Sequence, residues 1–186
     1  CFPGDFGGQA IAEALFGDYN PGGRLAVTFP KSVGQIPFAF PFKPGSDESS
    51  ETSVYGALYP FGHGLSYTTF QYSDLAISPS KQGVQGNISI SCTIKNIGQR
   101  EGDEVVQLYL RDEVSSVTTY TQVLRGFERI TLKPEASHTV HFELTPQELG
   151  IWDKQMNFTV EPGMFKVMIG SSSKDIRLKG EFEIAQ

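Results

Sequence analysis

The chain is poor in cysteine, tryptophan, basic residues and long apolar runs, and each shortage excludes something. Two cysteines in 186 residues cannot frame a disulfide scaffold. No stretch approaches the roughly 20 consecutive apolar residues of a membrane span. Lys and Arg number 15 against 21 Asp and Glu, a net charge of −6. The basic footprint of a nucleic-acid binder is therefore missing. Charged residues make up only 19% of the chain while 39% are hydrophobic, which argues against disorder. No charged segment followed by an apolar core marks a signal peptide at the N-terminus. Cys1-Phe2-Pro3-Gly4 leads straight into structure, so the expectation is a chain cut from a longer one rather than a lipid-anchored cysteine.

Glycine (20), proline (11) and aromatics (12%) are plentiful, and their distribution divides the chain. Gly7-Gly8 opens a short helix, Gln9 to Phe16, with Ile11, Ala14 and Leu15 on one face, and Gly17 ends it. The turn cluster Asp18 to Gly23 follows, and Arg24 to Phe29 reads as one buried strand. One helix and one strand cannot cover each other's faces, because a domain needs two packed layers. Residues 1–43 are thus expected to be the closing βα piece of a larger α/β domain. Asp47, Glu48 and Glu51 place three negative charges in a Ser-rich run, read as a solvated linker. The Pro- and aromatic-rich segments from Ile36 to Phe42 and Tyr59 to Tyr67 suit neither helix nor ladder. They hold too many rings for a free tether, so an extended arm packed on a neighbouring surface is expected. The domain division places linker and aromatic arm at residues 44–70, with the Ile36–Phe42 segment leading into them.

From residue 71 to 186 the period becomes two. Ile88, Ile90, Cys92 and Ile94 alternate with polar residues, as do Val106, Leu108 and Leu110 with Gln107, Tyr109 and Arg111. The same holds for Val140 to Leu144, Phe165 to Ile169 and Ile176 to Ile184. Each run predicts a strand with one buried and one wet face. Adding 72–77 and 123–132 gives about seven strands, the number of an immunoglobulin-like β-sandwich. Gly126 falls inside a run where Leu124 and Phe127 are out of phase, which predicts a bulge. The fold class is mainly β.

Candidate chemistry is sparse. Cys92 shares its face with three isoleucines and reads as a small core hydrophobe. His138 and His141 are an odd number apart on a strand and point to opposite faces, so they cannot share a metal ion. Asp103-Glu104 and Asp112-Glu113 lie at strand ends and are expected to face solvent. No two carboxylates converge as a glycosidase pair would. Asp5-Phe6-Gly7 matches a kinase triplet by letter only, with no companion motifs. Asn87-Ile88-Ser89 and Asn157-Phe158-Thr159 are glycosylation sequons by letter. Tyr59, Phe61, His63 and Tyr67 are assigned to the arm, with His63 as a buried hydrogen-bonded histidine that positions it. Trp152, the single tryptophan, is expected to plug the sandwich, with stacking on sugar as the alternative. No residue set points to a cofactor or a metal.

The longer motifs carry a resemblance. Phe2-Pro3-Gly4, Gly7-Gly8, the run AIAEALFGDYNPGGR from Ala10 to Arg24, and Thr28-Phe29-Pro30 resemble the closing motifs of the second domain of glycoside hydrolase family 3. Ser32 to Pro37 continues that likeness. YPFGHGLSYTTF, from Tyr59 to Phe70, is similar to that family's bridge into a C-terminal fibronectin-type-III-like domain. GDEVVQLY from Gly102, Leu124-Arg125-Gly126-Phe127, Val160 to Gly163 and Ile169 to Ser173 extend the likeness through the second half. Two features depart from the family pattern. Phe6 stands where many members have an acidic residue, and a Ser/Glu run replaces a tyrosine-rich insert between Phe42 and Tyr59.

The resemblance implies a retaining β-glycosidase, of β-glucosidase or β-xylosidase type, acting on β-linked oligosaccharides in the periplasm or outside the cell. It also implies that the nucleophilic Asp and the acid/base Glu lie upstream of this sequence, so no catalytic residue is carried over onto it. The expected partners are upstream catalytic domains of the same protein, with a homodimer contact as a further option. A non-catalytic C-terminal part and an independent carbohydrate-binding or adhesion sandwich remain the two readings.

Overall fold

The computed structural model describes residues 3–46 and 56–186. Cys1, Phe2 and the acidic run of Asp47, Glu48 and Glu51 lie outside the described residues. Helix α1 spans Gly7–Phe16, β1 Phe29–Pro30, a 3-10 turn Val33–Gln35, and β2 Ala57–Tyr59. The strands that follow are β3 (Phe70–Ser78), β4 (Lys81–Gly83), β5 (Ile88–Asn96), β6 (Gly102–Asp112), β7 (Val123–Leu132) and β8 (Ser137–Leu144). Helix α2 is Pro146–Leu149, and β9 (Ile151–Trp152), β10 (Phe158–Thr159), β11 (Gly163–Gly170) and β12 (Ile176–Ala185) complete the chain.

Two sheets enclose one core. The larger runs β4-β12-β11-β6-β7 and the smaller β3-β5-β8. All their pairings are antiparallel except β12 with β4. The inward residues are those the period-two pattern marks: Ile88, Ile90, Cys92 and Ile94 from one sheet meet Val106, Leu108, Phe165, Val167, Ile169, Phe182 and Ile184 from the other. Phe165 and Phe182 lie parallel at 5.4 Å across β11 and β12. Cys92 is a free thiol in this core, where burial pushes it up to about 11. The expected bulge is present: Leu108 faces Gly126 and Tyr109 faces Leu124, leaving Arg125 as the extra residue.

Two expectations need correction. Arg24–Phe29 is not a buried strand, since only Phe29 is in strand, paired with Tyr59 of β2, and Val27 is exposed. A strand buried on both faces needs a neighbouring sheet; here Leu25 instead exchanges main-chain hydrogen bonds with Gly62 and His63. Nor is the outer face of β6 wet throughout, for Gln107 and Tyr109 are as buried as the core. The arm covers them.

Candidate functional site

The arm folds back over the larger sheet. Phe40 stands edge-on to Tyr109 at 5.7 Å, and Phe61 stacks on Phe40 at 4.6 Å. Beneath these rings Tyr109 donates its hydroxyl to Gln107 Oε1. Gln107 Nε2 donates to the carbonyls of Ser171 at 2.6 Å and Gly62 at 3.2 Å. Burial pushes the Tyr109 phenol above its ordinary range. Gly62 is required twice over: its φ is +82°, and a Cβ there would lie 2.1 Å from Gln107 Oε1. Ser173 N–H donates to the Phe61 carbonyl at 3.0 Å, fixing the arm to the β11–β12 turn.

A polar seam holds the preceding segment. Arg24 Nη2 lies 2.7 Å from Glu104 Oε1, and both side chains are nearly out of solvent. Glu104 was expected at the surface; it is 4% exposed, because the segment around Arg24 covers it. Burial pushes its carboxyl up, with Arg24 pulling the other way. Tyr72 is raised chiefly by the same burial and next by the Glu104 charge. Asp103 holds Arg129 and accepts from Thr131 Oγ1 at 2.6 Å. Those contacts keep its carboxyl low, the Thr131 hydrogen bond being the largest cause.

Asparagines stitch the turns to the arm. Asn96 spends both amide hydrogens on the carbonyls of Arg100 and Leu132, while its oxygen accepts from Thr68 Oγ1 at 2.6 Å and Gly98 N–H at 3.0 Å. A fully buried amide is stable only when satisfied in this way. Asn20 accepts from Tyr67 N–H and donates to the Glu101 carbonyl.

The residues singled out from sequence fall in two places. Phe61 is in the ring stack, His63 stacks on Tyr59 at 5.1 Å, and the Tyr67 hydroxyl donates to the Ala14 carbonyl of α1 at 2.6 Å under the Arg100 guanidinium. His63 is half-buried rather than buried, its main-chain carbonyl accepting from Leu25. Trp152 does not plug the core: it is 59% exposed, at the far end of the sandwich. Helix α2, capped by Thr145 and Glu148 in a reciprocal box, ends at Gly150 and turns the chain into β9. Pairing of β9 with β10 then sets the indole edge-to-face on Phe158, 5.5 Å away. His138 lies 3.6 Å from Glu128, and His141 is exposed. Among the described residues no cluster of His, Cys, Asp or Glu is arranged to hold a metal.

Sequence reasoning missed Glu104, Gln107 and Tyr109. A signal for the last two was available: Val105-Val106-Gln107-Leu108-Tyr109-Leu110 is a nearly continuous apolar run, the pattern of a strand covered on both faces.

Comparison with known proteins finds two domain families in this chain. The glycosyl hydrolase family 3 C-terminal domain matches residues 1–67, and a fibronectin type III-like domain matches residues 104–173. The periplasmic beta-glucosidase of Salmonella typhimurium is 44% identical over 98% of this chain and 25% of its own length. A beta-xylosidase of Formosa agariphila is 43% identical over 92% of the chain and 24% of its own length. The structure of a beta-glucosidase from Listeria innocua in complex with glucose superposes with a TM-score of 0.90 at 31% identity, covering 100% of this chain and 27% of that one. The chain thus spans about a quarter of the length of the curated relatives it matches.

Proposed function

Because the chain belongs to glycoside hydrolase family 3, we propose that it serves as the non-catalytic C-terminal portion of a retaining β-glycosidase acting on terminal β-D-glucosides or β-xylosides. Residues 1–43 close the α/β domain, 44–70 are linker and aromatic arm, and 71–186 form the fibronectin-type-III-like domain. Tyr59, Phe61, His63 and Tyr67 fix the arm, and through it the angle at which the sandwich meets the catalytic domains. Stabilising those domains is the main role, with shaping of the outer active-site rim or a dimer contact as additions.

One observation carries this reading. The described residues before Phe70 are tied to the sandwich by Arg100 donating to the Gly17 carbonyl, Asn20 donating to the Glu101 carbonyl and the Arg24–Glu104 pair, while Phe6, Ile11, Leu15, Phe16, Val33 and Leu65 among them stand exposed. Six exposed apolar side chains carried by one segment are what a surface that packs on a partner would present, and the matched relatives are about four times as long as this chain. An independent carbohydrate-binding or adhesion sandwich would leave that surface without a purpose.

The test is a chimera in which this chain replaces the matching quarter of the Salmonella periplasmic beta-glucosidase. The chimera is expected to hydrolyse a nitrophenyl β-glucoside, whereas the purified chain alone is expected not to. Turnover by the chain alone, or a folded but inactive chimera, would overturn the reading.

A further inference from the structure

We propose that the sandwich carries its own saccharide site at Trp152, on which a neutral oligosaccharide of β-linked pyranose rings lies across the indole. This goes beyond the scaffold role and does not depend on it. The exposed indole is the only one in the sequence, and it is held rather than loose. Phe158 supports it edge-on, and Gly150 lets that support close in, since a Cβ there would lie 2.3 Å from Phe158 Cζ. Asp153 ties the β9–β10 turn by accepting from the Gln155 and Asn157 N–H groups, each at 2.8 Å. A platform fixed in advance loses little conformational freedom when a ligand settles on it.

The indole walls a groove of about 690 Å³, with Val84, Gln85, Pro146, Gln147 and Thr159 along its sides. That volume lies within the roughly 300–1,000 Å³ of small-molecule sites. None of the lining side chains is charged among the described residues, so nothing there would draw an anionic ligand. The chemistry present is an aromatic face, two amides and a hydroxyl. The apolar C–H face of a β-pyranose covers an indole, and its ring hydroxyls, each donor and acceptor, match the amides of Gln85 and Gln147. Trp152 also borders a smaller cavity of about 260 Å³ whose lining includes Asp112, Tyr120, Glu148 and Arg125, the last being the extra residue of the β7 bulge.

The single tryptophan makes the experiment direct. The chain is titrated with cellohexaose and, separately, xylohexaose while Trp152 emission is followed, and its retardation is measured in native gels containing soluble β-glucan or xylan. A saturable emission change at micromolar sugar is expected with one or both. Trp152→Ala should lose retardation at least tenfold, Trp152→Phe should keep most of it, and Gln147→Ala should weaken it severalfold. No saturable change with either sugar, or retardation of Trp152→Ala equal to that of the parent chain, overturns the site. Should Trp152→Ala fail to fold, Gln147→Ala on the exposed side of α2 decides on the same gels, an unchanged mobility counting against the site. Hydrolysis by the chimera is untouched by either result, so the two proposals fail separately.

Discussion

Residues before Phe70 and residues after it handle apolar surface in opposite ways. Among the described residues, every buried apolar side chain of the core lies between Phe70 and Ile184. The earlier segment contributes none, yet Phe6, Leu15, Phe16 and Val33 in it are each more than 70% exposed. Its attachment is polar and aromatic: the Arg24–Glu104 pair, the bonds of Asn20 to the Glu101 carbonyl and of Thr68 to Asn96, and the Phe40–Phe61 stack on Tyr109. Burial of apolar surface is the main favourable term in folding. The sandwich therefore holds itself together, while the segment before it is held by a seam and has a second face to satisfy elsewhere.

The largest effect expected from breaking this contrast lies in the core. Phe165→Ala removes a ring that is 1% exposed and stacked on Phe182, and should cost about 3–5 kcal/mol in urea unfolding. A loss under about 1 kcal/mol would mean that the sheets do not pack through that pair.

The seam comes next. Glu104→Ala leaves the Arg24 guanidinium buried without its partner, a change that costs about 3 kcal/mol or more where the charge cannot escape. Because the segment owns no part of the core, the loss should appear as local opening rather than global unfolding. The Leu25 and Gly62 amides, which bond to the His63 and Leu25 carbonyls, should lose about two orders of magnitude of hydrogen-exchange protection. The Val167 and Ile169 amides should keep theirs. Equal losses in both places would show that the two regions unfold as one unit and that the contrast is one of composition alone.

The same contrast explains what was legible in the sequence. Strands β5, β8, β11 and β12 follow from period two, because each has one face on a core that the same strands create. The bulge was legible from Gly126 and the phase slip around it. Glu104 was not, because its burial depends on Arg24, 80 residues earlier in the chain. The outer face of β6 was misread as wet for a related reason: its cover is an arm with no periodicity of its own. Trp152 was misplaced because the direction of a ring at a sheet end is set by the Thr145 cap and the Asp153 turn. Neither leaves a mark in hydrophobic pattern. The aromatic density of the arm did announce that it packs on something, though not that the something was this sandwich.

The smallest effect expected is also the most discriminating. Leu15 is 73% exposed on α1, and Leu15→Ala keeps helix propensity high, so in this chain alone it should change stability by no more than about 0.5 kcal/mol. In the chimera described above, the same leucine should be covered by the catalytic domains. There the substitution should behave as a core truncation of about 2 kcal/mol or more, read as a lower midpoint for thermal loss of nitrophenyl glucoside turnover. The difference between the two contexts, rather than either value, measures what α1 gains from its neighbours. Equally small effects in both would place α1 in solvent in the larger protein and remove the argument that its exposed face is a docking surface.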